Sequence, residues 1–371
     1  MKVLLITTHL NVGGITTYLL NLSRGLIEKG HEVWVVSSGG KMEGKFKRLG
    51  AHVNVYDIRT KSELSLKPYR ALPEIRRLIL EKDIDILHGH TRISQVMAAF
   101  LSKLTGRPFV TTCHGFYKRR FSRRLFPCWG RKAIAISPPV GEYLRKDFNI
   151  PEQDICQVFN GIAVQDYEIF NEDRHREVKK KFRLSGRKVI GVIARLADVK
   201  GHQYLIEAMP RIISEVPDAF LIIIGEGKME GFLKARVREL GLEEYVRFEP
   251  VVGRPRDYFQ LLDAFVLPSL DEGFGLSVLE AQATALPVVV SNIGGLPFMV
   301  KDGQTGFLCP VRDSAALAEK VLICLKDPRA SRDMGLRARA FVETIFSADR
   351  MVEKTIQCYR SVLNDEENSC R

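Results

Sequence analysis

Long apolar runs are missing from this 371-residue sequence, and none approaches the roughly 18 to 20 residues that cross a bilayer as a helix. The opening MKVLLIT is apolar for only four residues in a row, which suits a strand and not a secretory leader. Cysteine is sparse and scattered. Its seven positions (113, 128, 156, 309, 324, 358 and 370) contain no CxxC pair, and an odd count argues against a closed disulfide framework. A reducing, cytoplasmic setting is expected. Tandem repeats and low-complexity tracts are also lacking, and 45% hydrophobic residues leave no shortage of core formers, which excludes a disordered chain.

Acidic residues are absent from one long stretch. Between Ile86 and Gly141 there is no Asp or Glu but ten Lys or Arg. Through Gln165 the chain holds 26 basic and 13 acidic residues, and 30 and 31 afterwards, so the net charge of +12 resides in the first half. That half is expected to meet something anionic.

The length predicts two domains at roughly 150 residues each. Short β-branched runs alternate with amphipathic stretches: VLLIT, EVWVVSS, DIDILHGH, FVTT and KAIAIS in the first half, then VIGVIA, FLIIIG, YVRFEP, AFVLPS and PVVVS. Such alternation implies parallel strands covered by helices on both faces, twice over. The weak pattern near Asn160 places the boundaries at 1–160, 161–346 and a last helical segment, 347–371. Ligands of open α/β sheets bind beyond the C-terminal strand ends near a switch in strand order, so two such domains are expected to face each other across a cleft.

Residues just after strands are therefore the candidates. In LDEGFGLSVLEA, Glu272 and Glu280 bracket seven residues at the opening of a helix. Gly273 and Gly275 permit close approach of a phosphate, and the amides of Phe274, Gly275, Leu276 and Ser277 at a helix N-terminus suit an anion. Glu280, one turn in, suits two ribose hydroxyls, unless it is only a solvated helix carboxylate. In GVIARLADVKG a buried strand delivers Arg195 and Lys200, two cations suited to a diphosphate leaving group without a metal. No DxD-like pair stands in these loops. Gly13 and Gly14 follow the first strand, where backbone meets ligand or merely turns. His88, His90 and His114 follow later strands; their spacing is not that of a zinc site, and His114 is read as a hydrogen-bonding partner of a sugar hydroxyl or as a packed side chain.

These segments together resemble the retaining glycosyltransferases of family 4, which have the GT-B fold. The resemblance is carried by the glycine pair at 13 and 14, TCHGF around His114, NGI at Asn160, ARLADVKG, IIIGEG, EGFGLSVLEA and SNIGGLP. It implies an N-terminal acceptor domain, a C-terminal nucleotide-sugar domain and a final helix that crosses back to the first. It also implies that Arg195 and Lys200 bind the donor diphosphate, Glu280 the ribose and Glu272 the transferred sugar. Backbone around Arg247 and Phe248 would meet the base, and His114 would face the donor sugar. The leaving diphosphate would help to deprotonate the acceptor on the same face. Phe298 follows GGLP where the family usually has an acidic residue, which bears on the choice of sugar.

The segment FYKRRFSRRLFPCWGRK, Phe116 to Lys132, holds seven basic residues and five aromatics. Lys118, Arg119, Arg120, Arg123 and Arg124 are expected to contact an anionic membrane or acceptor, with Phe121, Phe126 and Trp129 at the headgroup boundary. A lipid-linked or lipopolysaccharide-type envelope acceptor follows, with the enzyme peripheral on the inner face of the membrane. Two other readings stand beside this one: an NAD-dependent oxidoreductase, from the GxGxxxG spacing of GEGKMEG, and a nucleic-acid-binding module, from the basic segment.

Overall fold

The computed structural model describes residues 1–371 apart from 61, 64, 118–122, 124, 125, 251–255, 370 and 371, and apart from the side chains of 256, 257 and 366–369. The chain forms two compact units, Met1–Ile162 with Ala348–Arg371, and Ala163–Ser347.

The first unit is built on a seven-stranded sheet: β1 (Lys2–Ile6), β2 (Glu32–Ser37), β3 (His52–Val55), β4 (Ile86–Gly89), β5 (Phe109–Cys113), β6 (Lys132–Ala135) and β7 (Ile155–Gln157). All pairs are parallel and the order is β3-β2-β1-β4-β5-β6-β7. Alternate side chains of a strand point to opposite faces, so an unbroken apolar run buries both. Val3 and Leu5 pack with Tyr18, Leu22 and Leu26 of the helix Gly14–Glu28 and with Val352 and Tyr359 of the terminal helix Ala348–Ser369. Leu4 and Ile6 face Ile75, Ile79, Met97 and Leu101 on the other side.

The terminal helix belongs to this first unit, and its seat is specific. Gly25 lets it approach the helix Gly14–Glu28: a Cβ there would stand 2.5 Å from Val352 Cγ2. The NGI segment is held from both sides, since Asn21 Nδ2 donates to the Gly161 carbonyl at 3.2 Å and the Ala348 amide donates to the Ile162 carbonyl at 2.9 Å. Cys156 in β7 and Cys358 in the helix pair as a disulfide, correcting the expectation that the cysteines form no bridge. Their 202-residue separation gave no local spacing signal.

The second unit has six parallel strands, β8 (Lys188–Ile193), β9 (Ala219–Ile224), β10 (Val246–Glu249), β11 (Ala264–Leu267), β12 (Val288–Ser291) and β13 (Phe307–Cys309), in the order β10-β9-β8-β11-β12-β13. Strand order reverses between β1 and β4 in the first unit and between β8 and β11 in the second. Those are the points where loops diverge to opposite sides of the sheet and leave a crevice beyond the strand ends.

Candidate functional site

The loops after β8 and β11 flank the switch point of the second unit, and they are tied together by the Leu270 amide donating to the Val199 carbonyl at 2.8 Å. That bond sets two charged side chains against each other. Lys200 Nζ donates to Glu272 Oε2 at 2.5 Å, with the side chains only 19% and 12% exposed, and Ser269 Oγ donates to the same oxygen at 3.4 Å. Arg195 is exposed on the same loop as Lys200, and its side chain pairs with none of the described residues. Beneath Glu272 runs the SNIGGLP segment. The Gly295 amide donates to the Glu272 carbonyl at 3.0 Å, and Gly294, at φ +56°, would put a Cβ 1.9 Å from that oxygen, so only glycine fits. Phe298 ends the short turn Leu296–Phe298 and is 42% exposed.

Beyond Gly273 and Gly275 the helix Leu276–Ala283 begins without a side-chain cap, which leaves its first turn, Leu276 and Ser277, unclaimed by side chains. The Phe274 side chain is core, packed edge-on against Phe346 at 5.8 Å, so any role of Phe274 at the site falls to its backbone. Glu280 is half-buried, and Tyr167 Oη donates to its Oε1 at 3.0 Å. Desolvation pushes this carboxyl up to about 7, against the opposing pull of the Tyr167 hydrogen bond. Arg339 Nη1 donates to the Tyr167 carbonyl at 3.0 Å and also to the Ala283 carbonyl, tying the tyrosine's loop to the end of the Glu280 helix. Arg247 and Phe248 lie on the edge strand β10, away from this cluster. The guanidinium of Arg247 donates to the Phe182 carbonyl at 2.9 Å and covers the Phe220 ring, and Lys234 lies over Phe248.

The first unit gathers its polar groups at the matching place. Gly13 and Gly14 open the helix Gly14–Glu28 after β1, exposed and again without a side-chain cap. Three imidazoles gather at the ends of β4 and β5: His88 lies within β4, not after a strand that ends before it as expected, while His90 and His114 follow β4 and β5. His88 is fixed at both nitrogens, Nδ1 2.6 Å from Tyr359 Oη and Nε2 2.7 Å from Thr112 Oγ1. The His90 ring lies on it with centroids 3.9 Å apart, and His90 Nδ1 stands 3.3 Å from His114 Nε2. Tyr18 meets His114 edge-on at 4.9 Å. Burial holds all three histidines neutral, His88 and His90 well below the usual range and His114 near about 3. His202, next to Lys200, is likewise pushed down to about 4 by burial and by that lysine, so it adds no charge to the second unit's site.

Tyr167, Ser269, His202 and Tyr359 do not stand out as site residues in the sequence, because neither their spacing nor their types single them out. The basic segment divides. Lys118, Arg119, Arg120, Arg124 and Phe121 lie outside the described residues. Phe126 is 65% exposed, as a surface contact requires. Arg123 instead turns onto the Tyr117 ring at 4.2 Å, half-buried. Trp129, expected at the headgroup boundary, is only 6% exposed and packs against Phe148 at 5.0 Å. Its apolar area is larger than that of any neighbour in the segment, so the core claims it first. Among the described residues no helix is long and apolar enough to cross a membrane, and no group of three His, Cys, Asp or Glu could hold a metal ion.

Two parallel Rossmann-like sheets, with the terminal helix belonging to the first, define the GT-B class of glycosyltransferases. Residues 12–166 match the family model Glycosyltransferase Family 4, and residues 173–341 match Glycosyl transferases group 1. The chain belongs to this family and is a glycosyltransferase. It is 29% identical to the N-acetyl-alpha-D-glucosaminyl L-malate synthase of Bacillus anthracis, over 98% of each chain. It is 26% identical to the D-inositol 3-phosphate glycosyltransferase of Paenarthrobacter aurescens, over 95% of this chain and 94% of that one. In fold it is similar to Anabaena Alr3699/HepE, solved in complex with UDP and glucose, with a TM-score of 0.86 and 20% identity over 97% of this chain and 100% of that one. The oxidoreductase and nucleic-acid readings lapse with this membership. GEGKMEG instead braces the loop of Arg195, since the Leu196 amide donates to the Glu226 carbonyl at 3.0 Å and the Met229 amide to the Leu196 carbonyl at 3.2 Å.

Proposed function

We propose that the second unit binds a nucleoside-diphosphate sugar and that the sugar is passed, with retention and without a metal, to an anionic acceptor bound by the first unit. The observation that carries this reading is the Lys200–Glu272 contact at the β8/β11 switch point, with Arg195 exposed on the same loop. Arg195 and Lys200 would face the diphosphate, and the uncapped helix Leu276–Ala283 would take a phosphate oxygen at its first turn. Glu272, released by Lys200, would accept from sugar hydroxyls, and Glu280 from the ribose. Backbone beside Arg247 and Phe248 would meet the base. His114 would face the transferred sugar, with Gly13 and Gly14 leaving room for backbone contact. The UDP complex of the Anabaena protein supports the donor class.

A thermal-shift panel of UDP-, GDP- and ADP-sugars tests the donor. A ligand at 100 times its dissociation constant stabilises by about 2.7 kcal/mol, and one base should do so in the wild type and far less in Arg195→Ala. No shift with any of them refutes the reading.

For the acceptor, the acid-free stretch from Ile86 to Gly141 and the exposed Phe126 support a lipid-linked or envelope-glycan acceptor at an anionic membrane. The inward Trp129, and relatives named for malate and inositol 3-phosphate, support a second reading, a small soluble anion. Co-sedimentation with vesicles decides between them. Binding that needs anionic lipid and weakens with salt selects the membrane, and none to either vesicle type selects the soluble acceptor.

A further inference from the structure

We infer that His90 is a positioning residue that fixes the tautomer of His114, so that His114 presents a protonated Nδ1 to the transferred sugar and acts there as a hydrogen-bond donor, not as a base. The part concerning the sugar rests on the reading of His114 given above, while the tautomer stands on the geometry and burial of the two rings.

The two rings meet through His90 Nδ1 and His114 Nε2, 3.3 Å apart, so one nitrogen must carry the shared proton and the other must accept it. Burial keeps each ring neutral, with one proton apiece. If His114 donated, the proton of His90 would sit on its Nε2. That atom is fully buried and has no hydrogen-bond partner among the described residues. An orphaned buried N–H is rarer in folded proteins than an under-used acceptor, and leaving a buried donor unmade costs about 1–3 kcal/mol. The other arrangement leaves only a bare lone pair at that position. His90 therefore donates from Nδ1, His114 accepts at Nε2, and the proton of His114 stands on Nδ1.

The donor ring is held in place. His88 lies against it at 3.9 Å, itself held at both nitrogens by Tyr359 and Thr112, and Tyr18 meets the His114 ring edge-on. Tyr359 comes from the terminal helix, which gives that helix a part in holding the His90 ring from 271 residues beyond His88 in sequence.

Long-range 1H–15N correlation spectra of the histidine-labelled, ligand-free protein read the tautomer directly. Expected is a protonated Nδ1 and a bare Nε2 at His114. In His90→Phe, which keeps a flat ring but no donor, that signature should be lost and kcat should fall on the order of tenfold to a hundredfold, with donor KM changed less than about twofold. His90→Asn, whose amide N–H falls near Nδ1, should restore both. A His114 protonated on Nε2 in the wild type overturns the proposal without any variant, as does a His90→Phe protein with unchanged tautomer and turnover. Normal turnover in His114→Ala, with the expected wild-type spectrum, would instead remove His114 from the sugar and leave the tautomer assignment standing.

Discussion

Glu280 offers a pH dependence whose size follows from its surroundings. Its carboxyl titrates at about 7 because the helix Leu276–Ala283 and the loop of Tyr167 remove it from water. On the ribose reading of Glu280, the carboxylate accepts from two hydroxyls through both charged oxygens, whereas the acid is a weaker acceptor and carries a proton on one of them, so apparent donor affinity should follow the ionised fraction. That fraction is about a tenth one pH unit below the midpoint and about half at it, so donor Kd near pH 6 should be roughly tenfold weaker than its plateau above pH 8. A nucleoside-diphosphate sugar is a suitable probe, since its phosphodiester groups do not titrate in this range. Burial and Lys200 keep His202 of the same unit out of the window, pushed down to about 4. Glu280→Gln should flatten the profile and weaken binding by about 1.5–3 kcal/mol, the worth of a hydrogen bond to a charged group. Tyr167→Phe removes the interaction that lowers the carboxyl, so its midpoint should move above that of the wild type. Stability runs with the opposite sign. The folded carboxyl binds its proton more tightly than its ordinary 4.5, so the stability it contributes in acid is lost as pH climbs from there through about 7. Titration calorimetry between pH 5.5 and 8.5 checks the binding arm. An inflection that persists in Glu280→Gln, or affinity that is flat from pH 6 to 8, refutes the reasoning.

Arg195→Ala and Lys200→Ala should each slow transfer by about a hundredfold or more, because charge grows on the leaving diphosphate; near-normal turnover of either folded variant would exclude that residue from the site. Their stabilities should differ: Lys200→Ala strands a nearly buried Glu272 and should lower the melting temperature, while removal of the exposed Arg195 should not, as calorimetry will show. Transfer is expected to continue in EDTA, and complete loss restored by Mg²⁺ or Mn²⁺ would sink the metal-independent mechanism. Gly25→Val should cost about 1–3 kcal/mol by overpacking the terminal helix at Val352, measured by denaturant unfolding with urea.

Both sheets were legible because their strands are short β-branched runs with both faces apolar, a pattern that the chain repeats and that parallel sheets demand. The candidate residues were legible for a related reason. A strand of fixed direction ends at a known place, so Arg195, Lys200, Glu272 and His114 announce themselves by following β8, β11 and β5. Side-chain fate in the basic segment was not legible, because Trp129 and Phe126 read alike as aromatics among cations until a core is there to take one and leave the other. The Cys156–Cys358 bridge failed to show for a similar reason, since no spacing rule reaches across 202 residues.

What a residue is, and which strand it follows, are local properties; which group it meets is not. Lys200 finds Glu272 across 72 residues, Tyr167 finds Glu280 across 113, and His88 finds Tyr359 across 271. Each partner changes the chemistry that its residue type alone would suggest. The ion pair neutralises a half-buried lysine; on the donor reading proposed above, an arriving diphosphate would exchange one anion for another without leaving that cation alone. The tyrosine restrains a carboxyl that desolvation pushes toward neutrality. The histidine chain converts a ring that could serve as a base into one that donates. In the first two, a residue far away in sequence sets the charge balance of the group, and in the third Tyr359 holds His88, against which the ring of His90 rests.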